Sequence, residues 1–263
     1  MPKPRLPEGR GLLTVLLLAA FAWSFTNVDW DRPVFHAGGL RAIGEIAAAF
    51  FSPTLSGGLL VDALDETWTT LAYAVAGMTV ALAIGFPAGV IASGTVTRTP
   101  WLRRLNIGAA RGLLAFLRAI HELVWAWLFV AAIGLSPMAA VLALGIPYGG
   151  ILGRIYAELL QDVPEAPLRA LRSAGAREWR VLLYGRLPMA LPDMVSYGFY
   201  RLECGIRAAA IMSFVGLGGL GQQIQLSLDD LNYERMWTFA YFLIGLIVLV
   251  DVWSTLFRRR IVL

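Results

Sequence analysis

The chain carries little charge for its length. Asp, Glu, Lys and Arg make up 15% of its 263 residues, and 58% are hydrophobic. Soluble proteins average about 25% charged and 45–50% apolar residues, so this composition excludes a disordered chain and disfavours an ordinary cytosolic enzyme. Lys3 is the only lysine, and most arginines flank apolar segments. Nucleic-acid binding would need them clustered on a polar face, so we expect no nucleic-acid partner.

Motifs for disulfide, metal and nucleotide chemistry are also missing. The single cysteine, Cys204, has no partner within the chain, and the two histidines, His36 and His121, lie far apart. No Cys-x-x-Cys or His-x-x-x-His spacing occurs, so no metal site is predicted. No Gly-x-x-x-x-Gly-Lys-Ser/Thr sequence occurs either. We expect no catalytic residue and no cofactor in this chain.

The hydrophobic residues lie in long blocks. A helix that spans a bilayer needs about 20 mostly apolar residues. Six blocks therefore predict an all-α polytopic membrane protein with six transmembrane helices: Gly11–Val28, Thr67–Ser93, Leu113–Leu135, Ser136–Ala157, Leu187–Leu217 and Trp237–Phe257. For the first block, a cleavable signal peptide is the alternative.

The remaining segments complete the predicted organisation. Leu40–Phe51 has helical apolar spacing but is too short to span, so it predicts an amphipathic helix on the membrane surface. We divide the chain into an N-terminal part, residues 1–66, a transmembrane core, residues 67–257, and a basic tail, residues 258–263.

Lys and Arg placement predicts the orientation. The N-terminal tail, the loops 94–112 and 158–186 and the C-terminal tail together hold fifteen of these residues, against three in the other connections. Because cytoplasmic loops carry the excess of positive charge, we expect both termini in the cytoplasm.

The third and fifth predicted spans each contain several ionisable residues. A charge at bilayer depth costs about 2.5–3.5 kcal/mol on insertion scales, so these side chains must face protein or water. Helical spacing predicts ion pairs Arg118–Glu122 and Glu203–Arg207, which would be either structural or part of a polar solute path. The path candidates are Arg118, His121, Glu122, Tyr200, Arg201, Glu203 and Arg207. For His121 we favour a hydrogen-bonded structural role over a proton relay.

A glycine-rich run follows the fifth block. Its members are Gly216, Gly218, Gly219 and Gly221. A dinucleotide fingerprint would need a preceding β-strand, whereas this run follows a membrane helix. The run predicts either a tight turn or re-entrant backbone near a gate, or close helix packing.

The loop between the fourth and fifth blocks is the most informative segment. It predicts a helix over about 164–174, a break at Gly175, a second helix over about 177–184, and Leu187-Pro188 opening the next span. An amphipathic, basic helix–break–helix suits insertion into a groove on a partner protein. A solvated surface loop is the alternative on spacing alone.

This loop resembles the cytoplasmic loop of binding-protein-dependent ABC importer permeases. Their pattern is Glu-Ala-Ala, three residues, Gly, nine residues, and Ile-x-Leu-Pro. Aligned on Gly175, the chain keeps Ala170, Leu187 and Pro188. It departs from the pattern at Arg169 (Glu in the family), Leu171 (Ala) and Gly185 (Ile).

Two further segments are similar to the phosphonate-transporter permeases within that family. The first is Arg118–Ala126, with His121 where the subfamily has Pro, and the second combines Tyr200–Arg207 with Val215–Gly221. The subfamily also includes permeases for phosphite and other reduced phosphorus oxyanions. The resemblance covers roughly residues 65–257.

The resemblance implies a type I ABC importer permease fold in a bacterial inner membrane. It implies a second copy of the chain, two ATP-binding cassette subunits that bind ATP and Mg, and an extracytoplasmic solute-binding protein as partners. The residues of the loop that would couple to the ATPase are Glu165, Arg169, Ala170, Gly175, Ala176, Leu187 and Pro188, within coupling helices at about 162–187. The expected function is import of phosphonate or phosphite-type anions. The alternative is a secondary transporter or an intramembrane enzyme that works without an ATPase.

Overall fold

The computed structural model describes the backbone of residues 8–27, 37–97 and 99–261. It describes the side chains of residues 11–27, 38–97 and 99–259. The described residues form helices, turns and irregular segments without a β-strand. Residues 1–7, the stretch 28–36, Arg98 and the last two residues of the predicted basic tail (258–263) lie outside the described residues. Contacts divide the chain into two units, residues 1–48 and 49–263.

The first unit contains two helices. Helix α1 spans Glu8–Thr26 and coincides with the first predicted block. Helix α2 spans Ala37–Ala49, ends at the unit boundary, and takes in most of the predicted amphipathic segment. Along α2, the guanidinium of Arg41 pairs with the carboxylate of Glu45 one turn later, at 2.9 Å.

The second unit contains the long helices. In chain order these are α3 Gly57–Ser93, α4 Pro100–Ala119, α5 Glu122–Ile133, α6 Pro137–Asp162, α7 Glu165–Ser173, α8 Glu178–Val181, a π-helical turn Leu182–Arg186, α9 Leu187–Met212, a 3₁₀ turn Ser213–Val215, α10 Leu220–Asp229 and α11 Tyr233–Ile261. Helix α3 begins ten residues before the predicted second span. Helices α6, α9 and α11 contain most or all of the fourth, fifth and sixth blocks.

Among the described residues, three helices, α3, α6 and α11, are long and apolar enough to cross a bilayer. Two bent helix pairs raise this number to five when each pair is taken as one span. One pair is α4 with α5, and the other joins residues 178–215 to α10. Helix α1 adds a shorter apolar helix, Gly11–Thr26. The chain is thus an all-α polytopic membrane protein.

The predicted third span is broken. Helices α4 and α5 meet at 85°, and the expectation of one continuous helix through Leu113–Leu135 is wrong. Ile120 and His121 have extended backbone (ψ 125° and 146°), which interrupts the helical hydrogen bonds. The Nδ1 atom of His121 then accepts the Leu123 N–H at 3.2 Å and caps α5.

Helices α3 and α6 form the centre of the second unit. Small residues recur every four positions along both helices: Gly77, Ala81, Gly85 and Gly89 on α3, and Gly145, Gly149, Gly153 and Ala157 on α6. A Cβ atom on Gly85 would lie 2.9 Å from the Gly149 carbonyl oxygen, and one on Gly89 would lie 2.8 Å from that of Gly153. The backbones therefore approach as in small-xxx-small pairs of membrane helices.

The α3–α6 pair supports two groups of buried side chains. Leu144, Tyr148, Leu152 and Leu160 of α6 pack among residues of α5 and of the segment that follows α6. On the other side of α3, Ala63 and Ala74 pack with Ile206, Leu220 and Phe239 from α9, α10 and α11. The pair consequently sets the positions of the helices that carry the charged candidates.

We predict that Gly85→Ala destabilises the folded chain by about 1–3 kcal/mol, because the added methyl group would overlap backbone atoms of α6. The matched control is Gly245→Ala in α11, where a Cβ would meet no atom within 4 Å. Thermal unfolding of the purified variants in detergent measures the difference. Equal midpoints for the two variants would show that the close α3–α6 approach is not required.

Candidate functional site

The loop after α6 folds as a helical hairpin. Val163 and Pro164 leave the helical region, Pro164 precedes α7, and Gly175 has φ +83° between α7 and α8. The left-handed conformation is the one that glycine adopts at little cost, which explains the break at that residue. Glu165 lies in the first turn of α7 and Arg172 in its last, both favourable to the helix dipole.

The second predicted helix of the loop is shorter than expected. Regular α-helix covers only Glu178–Val181, and a π-helical turn, Leu182–Arg186, runs directly into α9. Pro188 has no N–H and so donates no hydrogen bond to the preceding turn. The N–H of Leu187 bonds to the Leu182 carbonyl, five residues back, which is the π-helical spacing. Leu187-Pro188 therefore lies within a continuous helical segment that joins the loop to the membrane helix.

A network of four charged side chains holds this loop together. Glu165 accepts hydrogen bonds from Arg172 at 2.9 Å and from Arg186 at 2.6 Å. Arg172 also pairs with Glu178 at 3.3 Å, which ties α7 to α8. Arg186 donates a further bond to the Leu160 carbonyl at 2.7 Å. The network thus joins the end of α6, both loop helices and the start of α9.

Burial makes Arg186 the least replaceable member of this network. Its side chain is 8% exposed, and a buried guanidinium is stable only when it is paired and hydrogen-bonded. Glu165 is half exposed and supplies the charge. The hydrogen bond from Arg172, with that from Arg186, holds the pKa of the Glu165 carboxyl below its usual range. Glu165 is therefore ionised at neutral pH, where both ion pairs persist.

Two departures from the family pattern compensate each other. A Cβ atom on Gly185 would lie 2.7 Å from Leu168 Cδ2 and 2.9 Å from Leu171 Cδ1. The family has a small residue, Ala, at position 171 and a large one, Ile, at position 185. Here the Leu171 side chain occupies the space that a side chain at 185 would fill, so the volume is conserved. The third departure, Arg169, is exposed, and so is Ala170, whereas Ala176 is half-buried.

A polar cavity of about 580 Å³ adjoins the loop network. The side chains of Glu165, Arg172, Glu178 and Arg186 line it together with residues of the α3–α4 connection and the α6 end. Gln161 donates a hydrogen bond to the Ser93 carbonyl at 2.8 Å, which links the end of α6 to the end of α3. A displacement of the loop would therefore be transmitted to the ends of α6 and α3.

The charged candidates on α9 gather around a buried tyrosine of α6. The guanidinium carbon of Arg201 lies 5.0 Å from the Tyr148 ring centroid, and Tyr148 is buried. Arg207 pairs with Glu203, one of the two pairs expected from the spacing.

Arg201 differs from Arg207 in its partners. The Nε atom of Arg201 is buried without a hydrogen-bond acceptor, and within the described part of the chain its side chain forms no ion pair. Arg207 is neutralised by Glu203, whereas Tyr200, one turn before Cys204, is exposed. Arg201 is thus the α9 arginine whose charge is available to a ligand.

The candidates before and after the α4–α5 break do not share one helix face, so the expected stripe of Arg118, His121 and Glu122 is wrong. His121 Nε2 lies 3.7 Å from a Glu122 carboxylate oxygen. Arg118 forms no ion pair with any side chain that the structure describes, and the 85° bend separates it from Glu122, its expected partner.

Arg118 and Arg201 lie on different sides of α6. A Cβ atom on Gly150 would lie 3.0 Å from the Arg118 backbone nitrogen, whereas Tyr148 contacts Arg201. Two residues along an α-helix differ by about 200° in direction. Helix α6 therefore separates Arg118 from the contact between Arg201 and Tyr148.

The glycine-rich run forms the turn between α9 and α10. Gly216, Gly218 and Gly219 have φ values of 90°, 86° and 92°, a backbone that side chains rarely permit. A Cβ on Gly221 would collide with the Ala210 carbonyl. The sequence left a tight turn and close helix packing as alternatives. The first three glycines form the turn, and Gly221 allows the close packing.

Two residues that the sequence did not single out hold this turn. The Glu66 carboxylate accepts the Gly219 N–H at 2.8 Å, and Thr70 Oγ1 accepts the Leu220 N–H at 2.9 Å. Both acceptors cap the start of α10 and are one turn apart on α3. The acidic residue Glu66, within a long and mainly apolar helix, was the sequence feature that could have indicated this contact.

The comparisons with known proteins agree with this architecture. The family model described as "Binding-protein-dependent transport system inner membrane component" matches residues 85–263. The phosphite transport system permease protein PtxC of Stutzerimonas stutzeri is 33% identical over 227 residues, which cover 84% of this chain and 78% of that protein. The putative phosphite transport system permease protein HtxC of the same organism is 29% identical over 249 residues, covering 95% and 85%.

Two further similarities extend these findings. The phosphate-import permease protein PhnE of Mycolicibacterium smegmatis is 28% identical over 95% of this chain and 43% of that protein. Among solved structures, a chain of the inward-facing MetNI methionine ABC transporter superposes with a TM-score of 0.70 at 22% identity, covering 79% of this chain and 99% of that chain. This superposition supports the fold.

We predict that Leu171 and Gly185 behave as a coupled pair. Gly185→Ile alone should destabilise the protein by about 1–3 kcal/mol through overlap with Leu168 and Leu171. Leu171→Ala alone should cost about 2 kcal/mol by leaving a cavity. The double variant should recover about 1–2 kcal/mol of the summed loss. Thermal unfolding of the four proteins gives the coupling energy, and strict additivity would contradict the compensation.

Proposed function

Because this chain belongs to the family of binding-protein-dependent transport system inner membrane components, we propose that it is the permease subunit of an ATP-driven importer for phosphonate or phosphite-type oxyanions. The family consists of multi-pass inner-membrane permeases of ABC importers and not of enzymes. The similarity to PtxC and HtxC supports the substrate class. The observation that carries the transport role is the ion-paired helical hairpin after α6.

The hairpin is suited to transmit force from a partner. Helix α7 presents exposed Arg169 and Ala170 outward, while Leu168 is buried against the protein. Glu165 and Arg186 join this helix to α6 and α9. A displacement of α7 by an ATPase subunit would therefore move α6 and α9 together, because Glu165 and Arg186 connect all three helices directly.

The complete importer would contain several chains. We assign it a second copy of this permease, two ATP-binding cassette subunits on the hairpins, and an extracytoplasmic solute-binding protein on the opposite face. ATP and Mg would be bound by the cassette subunits. Both termini would lie in the cytoplasm, in keeping with the arginine distribution along the sequence.

The group around Tyr148 is suited to the passage of an oxyanion. Arginine presents a planar fork that matches two oxygens of a phosphorus oxyanion. Arg201 is held in position by the Tyr148 ring and lacks a carboxylate partner within the described residues. The Glu203–Arg207 pair next to it is close to neutral. One arginine without a described ion-pair partner and one neutralised arginine would attract the anion without holding it too tightly for release.

The first test is purification of this chain from its native membrane in mild detergent. We expect a P-loop ATPase to copurify at one per permease, with ATPase activity that rises when phosphite or a phosphonate and the solute-binding protein are added. Purification of the chain alone under several mild conditions would contradict the importer function. In the same complex, Gly175→Val should lower uptake at least tenfold while the ATPase stays bound, because the break requires φ +83°.

Gly175→Asn is the control for that variant, since Asn tolerates the left-handed conformation better than a β-branched residue does. We expect it to retain most of the uptake. Equal uptake by the Val and Asn variants and the unmodified permease would show that the hairpin break is not part of coupling.

A second prediction concerns the arginines of α9. Arg201→Gln should reduce uptake at least tenfold with the complex intact, because it removes the unpaired charge beside Tyr148. The double variant Glu203→Gln with Arg207→Gln removes a neutral pair and should reduce uptake less. Radiolabelled phosphite uptake into proteoliposomes measures both. Wild-type uptake by Arg201→Gln would exclude this residue from the path.

A further inference from the structure

A second cavity, with a basic lining, lies between α4 and α6, on the side of α6 opposite to Arg201. Its volume is about 360 Å³, within the range of small-ligand pockets. Three arginines line it against a single carboxylate. The lining side chains are Arg111, Arg118, Arg154 and Glu158, with Gly112, Leu114, Ala115 and Ala157.

The position of the cavity follows from the packing of α4 on α6. Arg111 bonds to Gln161 at 3.3 Å, Leu114 packs on Gly153, and Arg118 adjoins Gly150. The two helices therefore run antiparallel. At 1.5 Å per residue, Arg154 lies about 12 Å along α6 from Asp162, the end that carries the hairpin. The α6 wall of the cavity thus lies within about 12 Å of the hairpin end of that helix.

The charges in the cavity are only partly balanced. Arg154 pairs with Glu158 at 3.0 Å, and the partner of Arg111 among the described residues is the neutral amide of Gln161. Arg118 has no side-chain partner in the described part of the chain. It lies in the last turn of α4, where the helix dipole favours a cation. The cavity therefore has an excess of positive charge, and its three arginines are exposed to a ligand.

Small residues make room for a ligand between these arginines. Gly112 and Ala115 lie on the α4 wall and Ala157 lies on the α6 wall. A Cβ on Gly112 would meet no atom within 4 Å, so the space beside it is open. Arginines converging on an open cavity near the cytoplasmic side of membrane helices are the usual setting for phosphate-bearing ligands.

We propose that Arg111, Arg118 and Arg154 form a binding site for a tetrahedral phosphorus oxyanion, separate from the path around Tyr148. Two sources share this chemistry: the phosphate of a phospholipid headgroup, and a free phosphorus oxyanion on its way into the cytoplasm. Only the second source depends on the importer function proposed above. Glu158 competes with the ligand for Arg154 and so limits the affinity.

The experiment uses the purified permease–ATPase complex, or the permease as it purifies. Native mass spectrometry counts the phospholipids retained per permease, and equilibrium binding of radiolabelled phosphite counts the bound free anions. The test variant is Arg118→Gln with Arg154→Gln. The control is Arg41→Gln, because Arg41 also pairs with a glutamate one turn later but lies in α2.

We expect the double variant to lose one bound phospholipid or one bound phosphite per permease, while Arg41→Gln loses neither. Loss of the lipid identifies a headgroup site, and loss of phosphite identifies a station for the free anion. Glu158→Gln should strengthen the same binding several-fold, which keeps the test valid if the double variant folds poorly. Unchanged stoichiometry in the double variant, or unchanged affinity in Glu158→Gln, would overturn the proposal.

Failure of the importer function gives a different result. In that case the wild-type preparation lacks phosphite-stimulated ATPase activity, whatever the arginine variants do. The lipid count remains informative there, since it depends only on the cavity.

Discussion

The close approach of α3 and α6 is the constraint on which the other arrangements depend. Glycines spaced by four on both helices let the backbones touch, and a methyl group at Gly85 would already overlap the Gly149 carbonyl. In a bilayer no hydrophobic effect drives helices together, so such contact has to come from van der Waals packing of small residues. Helices α4, α5 and α9 then pack on α6, and this determines where each charged residue lies.

The central pair also connects the two candidate regions. Helix α6 carries Tyr148 in its middle and ends at the hairpin, where the Leu160 carbonyl is held by Arg186. Helix α9 begins at the same arginine and carries Arg201. A displacement of the hairpin is thus applied directly to both helices that surround the proposed path. Glu66 and Thr70 of α3 hold the turn at the other end of α9.

Much of this could be predicted from the sequence, and the failures have specific causes. Apolar blocks located the membrane helices because a chain that crosses a bilayer must satisfy its backbone hydrogen bonds internally, as a helix does. Gly175 marked the hairpin break because a residue in the left-handed conformation is usually glycine. The break at Ile120 and His121 was missed because apolar length cannot distinguish a straight span from a bent one. Glu66 was missed because its partners, the Gly219 N–H and the Gln223 side-chain amide, lie more than 150 residues away in the chain.

The sequence by itself determined the membrane class, the positions of the helices, the hairpin and its resemblance to importer permeases. These features follow from local composition and spacing, which act over one or two helical turns. Only the tertiary structure decided that Leu171 replaces the missing volume at Gly185 and that Arg118 lies across α6 from Arg201. It also decided that Arg207 is paired whereas Arg201 has no ion-pair partner among the described residues. Each of these outcomes depends on which helices are in contact. Those contacts depend on the complementary shapes of helix surfaces that are distant in the sequence.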